Sequence, residues 1–138
     1  MNKKRRKTTI VISAVVAVVL VCALLVRGFA FSVANPLARA TVHCEYNGTV
    51  TEQRLSAKDW WTIATMFNGK PQKPDMSRCP KSESLSIKAG RQTYYIGRDD
   101  CGLIYSVNRE KVFFLEGAEL QAMRAILSKY IPEKGLRY

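Results

Sequence analysis

The sequence has little of the material from which catalytic and cofactor sites are built. One histidine, His43, serves all 138 residues, no serine is framed by glycines, and there is neither an internal repeat nor a low-complexity tract. A zinc site needs about four converging ligands. His43 is adjacent to Cys44, and neighbours on a strand point to opposite faces, so the two do not converge and neither metal nor cofactor is expected. Nucleophilic catalysis lacks a base with an identifiable orienting partner. The expectation by elimination is a non-enzymatic binding or accessory module.

Acidic residues are also scarce, 11 against 22 lysines and arginines, for a net charge of +11. The imbalance is uneven along the chain, because Lys3, Lys4, Arg5, Arg6 and Lys7 crowd the start. From Gly28 onward 16 basic residues face all 11 acidic ones, a mild excess that suits a protein partner or an anionic envelope polymer and does not amount to a nucleic-acid footprint.

What the chain does have is one long apolar run. Thr8 to Val26 is 19 residues without a charge, and at about 1.5 Å rise per residue a helix of that length crosses most of a ~30 Å hydrocarbon core. The basic cluster before it, against the lone Arg27 behind it, orients the N-terminus to the cytoplasm and exports the rest. The expected organisation is a cytoplasmic segment at 1–7, a signal anchor at 8–26, a linker at 27–39 and an extracytoplasmic domain at 40–138, single-pass in the cell membrane. A cleaved secretory peptide is the alternative, with small-residue sites at Ser32-Val33-Ala34 and Ala38-Arg39-Ala40, and it would release a soluble effector or inhibitor. Lipidation of Cys22 is disfavoured because Val21 precedes it where such sites carry glycine or alanine, so Cys22 reads as an apolar residue of the span.

The exported part reads as α+β: a hairpin, a helix, a four-strand antiparallel meander and a second helix, with both helices on one face of the sheet. Residues 41–46 alternate with Val42, Cys44 and Tyr46 on the apolar face, and Asn47-Gly48 supplies the positive φ angles of a tight hairpin turn before the return strand at 49–55. The same residues, with Thr49, match a glycosylation sequon that the turn already explains. Ser56-Ala57-Lys58-Asp59 resembles a capping box opening a helix with Trp60, Ile63, Ala64 and Phe67 inward and Asn68-Gly69 as its left-handed stop. Three prolines deny regular structure to 70–83. Strands follow at 84–89, 92–97, 102–107 and 111–115, then an amphipathic helix over 117–131 stopped by Pro132.

Four features carry specific expectations. In an oxidising compartment Cys79 and Cys101, both in polar loop sequence before strands that run the same way, are expected to pair, closing a loop of about 20 residues with roughly 3 kcal/mol of stabilisation, while Cys44 stays reduced in the core. Trp60-Trp61 sit about 100° apart on their helix; a wide helix face buries both, whereas a half-exposed Trp61 beside Lys58 and Lys70 would be a contact for a partner, a glycan or the membrane. Tyr94-Tyr95 must split between the faces of the sheet, and a second face carrying Tyr95 with Ile104 and Phe113 or Phe114 would be a further binding surface. Asp99-Asp100 suit turn geometry; an envelope enzyme would need them in a concave pocket.

Overall fold

The structure is a computed structural model that describes residues 3–30, 33–75, 82–97 and 100–132. The chain divides into two compact units, one ending at Ser32 and one beginning at Val33.

The first unit is a single helix, α1 (Lys3–Ala30). Its segment Thr8–Val26 is long and apolar enough to cross a membrane and buries none of its surface in the protein, a property that anchors and signal sequences share.

The second unit is α+β. Its strands are β1 (Ala40–Tyr46), β2 (Thr49–Arg54), β3 (Lys73–Pro74), β4 (Leu85–Ala89), β5 (Gln92–Ile96), β6 (Leu103–Ser106) and β7 (Lys111–Phe114), and its helices are α2 (Ala57–Asn68) and α3 (Gly117–Leu127). All seven strands join one antiparallel sheet in the order β2-β1-β4-β5-β6-β7-β3. The β1–β2 turn forms as its residues dictate, with Asn47 at φ 50° and Gly48 at φ 75°.

Several local expectations are corrected. The 70–83 stretch is not wholly irregular: Lys73 and Pro74 pair with Val112 and Lys111 as an edge strand, where proline's missing N–H is no handicap. Gly69 does not close α2 in the left-handed region, since its φ is −79°; the backbone tightens, Gly69 and Lys70 donating to the carbonyls of Thr65 and Phe67, before Pro71 stops it. Helix α3 ends at Leu127, and a turn carries Tyr130 and Ile131 back onto the core. The cap of α2 is also not a simple box. Ser56 Oγ accepts the Asp59 N–H at 3.1 Å, but the Ser56 N–H goes to the hydroxyl of Tyr130, also at 3.1 Å, and that hydroxyl donates to Asp59 Oδ2 at 2.6 Å. Lys129 Nζ completes the junction at 3.2 Å from Asp59. The start of α2 and the end of α3 are thereby fastened together.

The core lies between the sheet and the two helices. An aromatic cluster occupies its centre: Phe67 sits 5.0 Å from Phe113 and 5.2 Å from Tyr94 by ring centroid, and Trp60 packs 6.2 Å from both Phe67 and Tyr94. Gly102 is a point of close approach. Its φ is +67°, and a Cβ there would stand 2.0 Å from the carbonyl oxygen of Leu115, whose N–H bonds the Gly102 carbonyl.

Two outcomes follow for stability. Gly102→Ala is expected to destabilise the domain by about 2–3 kcal/mol in denaturant titration, combining left-handed strain with a clash against backbone. Hydrogen bonds from Tyr130 and Lys129 hold the Asp59 carboxyl below the usual carboxylate range, so its contribution is complete above the ordinary carboxylate pKa and lost as acid protonates it. Asp59→Asn should cost about 1 kcal/mol at pH 7 and make no difference near pH 2, a convergence readable from paired melts.

Candidate functional site

The segment read as the end of a linker is part of the domain. Val33 and Ala34 are 6% and 0% exposed, and three side chains from α2 and β5 hold their backbone. The Tyr94 hydroxyl donates to the Val33 carbonyl at 2.5 Å. The Asn68 amide clamps Ala34 on both sides, Oδ1 accepting its N–H at 2.7 Å and Nδ2 donating to its carbonyl at 2.8 Å. The Trp60 indole N–H donates to the Asn35 carbonyl at 2.9 Å, and the Asn35 side chain in turn accepts the Leu37 N–H at 3.0 Å.

Pinning residues 33–37 in this way forms a cleft between them, the end of β2 and the start of α2. Its volume is about 310 Å³, and its rim carries Leu37, Arg39, Arg54 and Trp61. A helix face wide enough to bury both indoles is not what forms: Trp60 is 1% exposed and Trp61 47%. The 100° step between adjacent helical positions explains the split, since Trp60 shares its inward direction with Ile63, Ala64 and Phe67. Leu37 is 73% exposed on the same rim. Arg39, Arg54 and Lys58 are exposed and make no ion pair among the described residues.

The four sequence-derived surface candidates do not form one site. Lys58 and Trp61 stand one helical turn apart on the exposed side of α2. Lys70, beyond the other end of α2, is committed to an ion pair with Glu119. Tyr95 lies on the opposite face of the sheet, where its ring stacks on Tyr105 at 6.1 Å. The composition of that face is a correction. Ile104 and Phe113 point to the helices, and it is Leu103, Tyr105, Val112 and Phe114 that share the side of Tyr95, because Tyr95 pairs with Tyr105 and Tyr105 with Val112. His43 is half-buried on that second face, opposite to buried Cys44, as alternation requires.

Asp100 sits in an exposed turn with 95% of its side chain accessible, bonded to Arg124 at 2.8 Å; Asp99 lies outside the described residues. No disulfide is found among the described residues: Cys22 and Cys44 form none, Cys101 is engaged, and Cys79 lies outside the described residues. No group of three or more potential metal ligands occurs among the described residues.

Leu37, Arg39 and Arg54 were not legible as site residues. A short uncharged stretch ending in Asn-Pro-Leu reads as a linker, and a strand-end arginine reads as a solvated charge; their convergence depends on where the clamp lays residues 33–37.

Burial lifts the Tyr94 hydroxyl to about 12 from its usual 10. Being raised, its contribution is complete below pH 10, where both folded and unfolded chains keep the proton, and is lost as pH climbs through 12. Tyr94→Phe is therefore expected to cost about 1–2 kcal/mol at pH 8 by orphaning the Val33 carbonyl. Denaturation in mild detergent at pH 11 should show that difference reduced by about 1 kcal/mol.

No protein family, no curated protein and no solved structure matches this chain, so the geometry of the domain is what bears on its role.

Proposed function

We propose that this protein is a single-pass, membrane-tethered accessory module whose domain lies on the extracytoplasmic side and acts by binding. The observation that carries the reading is the half-exposed Trp61 at the rim of a preformed cleft, with Leu37 beside it and two arginines that make no ion pair among the described residues. Large exposed aromatics beside cationic groups are characteristic of contact surfaces, and a cleft held open by buried hydrogen bonds needs little ordering when it is filled. Orientation rests on the five basic residues ahead of the span against Arg27 behind it.

Retention of the anchor is favoured over release. Cleavage after Ala34 would detach two core residues from the domain, and cleavage after Ala40 would also remove the wall of the cleft. A Cys79–Cys101 bridge belongs to the same proposal. Cys22 and Cys44 form no disulfide and lie in separate units, and Cys101 is engaged, so Cys79 is the cysteine that remains to pair with it.

Intact mass after membrane fractionation tests both halves. The expected species is full-length and membrane-bound, taking up two alkyl groups per chain in non-reducing denaturant, at Cys22 and Cys44, and four after reduction. A shorter soluble species overturns the tether, and four alkyl groups without reductant overturn the bridge.

A further inference from the structure

The cleft rim has a composition that names its occupant. Among the described residues of the domain, the large apolar side chains that are exposed are Leu37, Val50 and Trp61, and two of these three meet at the cleft. Arg39 and Arg54 line the same opening, and Lys58 stands one helical turn before Trp61. Of the nearby acids, Asp59 is held by Lys129 and Tyr130, and Glu52 shares its face of β2 with Arg54, which leaves Arg39 and Lys58 as the excess charge. What remains is an amphipathic surface, apolar at its centre and cationic around it. Tryptophan is enriched at membrane interfaces because its ring suits the apolar boundary while its N–H stays hydrated, and guanidinium groups match phosphate oxygens in a planar fork.

The chain also limits how far this surface can be from a bilayer. The span ends at Val26 and the cleft begins at Pro36. Those ten residues reach about 35 Å even when fully extended, and less where α1 continues helical to Ala30. A tether this short holds the surface at a high effective concentration near headgroups, so a contact too weak to recruit a free domain suffices.

We propose that the Leu37–Trp61 surface, with Arg39, Arg54 and Lys58, seats the domain on the anionic headgroups of the membrane that holds α1. The inference rests on the tethered reading and adds the partner: a phosphate-bearing lipid surface. Leu37 and the Trp61 ring enter the interfacial zone, and the three cations engage lipid phosphates.

The tryptophans make this directly testable in the full-length chain. There are two, Trp60 and Trp61, neither in α1, and Trp60 is buried, so emission open to a neutral quencher reports Trp61. The protein is reconstituted into phosphatidylcholine vesicles with and without about 30% phosphatidylglycerol, and insertion is checked by flotation and resistance to alkaline extraction. Acrylamide quenching is expected to fall at least about twofold in the anionic vesicles and to recover at about 0.5 M salt, while phosphatidylglycerol brominated near the headgroup quenches Trp61. Arg39→Glu with Arg54→Glu should abolish the protection and Trp61→Phe should remove the quenchable emission. Salt reversal tests the same point with no substitution at all.

Inserted protein whose Trp61 is equally open to acrylamide in both lipids overturns the seat and leaves the tether standing. Equal protection in pure phosphatidylcholine, or in detergent, overturns anionic recognition in favour of plain apolar contact or self-association. Protein that neither floats nor resists extraction fails the tethered reading itself.

Discussion

The hold of Tyr94, Trp60 and Asn68 on the backbone of residues 33–35 is the constraint on which the domain's surface depends. Tyr94 and Asn68 place polar atoms against the main chain of the buried residues Val33 and Ala34, and Trp60 adds a bond to the Asn35 carbonyl. Leaving one such group unpaired costs about 1–3 kcal/mol, so the segment is not free to drift while the core stays packed. Two of these side chains, Trp60 and Tyr94, belong to the aromatic cluster between α2 and the sheet. Packing and polar satisfaction thus act on the same residues.

That arrangement has a functional corollary. A chain that leaves a long apolar helix is ordinarily a flexible strap, and a surface on such a strap has no defined shape. Here the domain takes hold of the chain at Val33, so the wall formed by Pro36, Leu37 and Arg39 faces Trp61 across a cleft of fixed dimensions. Preorganisation of this kind matters most for weak, tether-assisted contacts, in which the entropy of ordering a loop would consume much of the interaction.

The second fastening, at Asp59, Tyr130, Lys129 and Ser56, works at the other side of α2. It replaces a local capping box with a tertiary one: the hydroxyl that satisfies the Ser56 N–H comes from a residue 74 positions away. A sequence reader sees serine followed three residues later by an acid and infers a local cap, and half of it is there, in the bond from the Asp59 N–H to Ser56. The other half depends on the turn after α3 and is invisible to any local pattern. The sheet shows the same limit. Residues 103–106, Leu-Ile-Tyr-Ser, do not alternate cleanly, so periodicity does not say which of Ile104 and Tyr105 faces the helices; the pairing of Tyr95 with Tyr105 decides it.

Local chemistry made much of the fold legible in the order of residues. The uncharged run to Val26 requires a helix of membrane length, Asn47-Gly48 requires a turn with positive φ, and the spacing of Trp60, Ile63, Ala64 and Phe67 requires an amphipathic helix. Together these fix the α+β class and nearly every element. Three matters were settled by the fold: that Val33 and Ala34 belong to the core, that Tyr95 and Trp61 end on different surfaces, and that Leu37, Arg39, Arg54 and Trp61 meet. The reason is physical. Helix and strand periodicities are set by neighbours a few residues apart, whereas a surface is assembled from groups distant in sequence whose positions are set by where buried polar atoms find their partners.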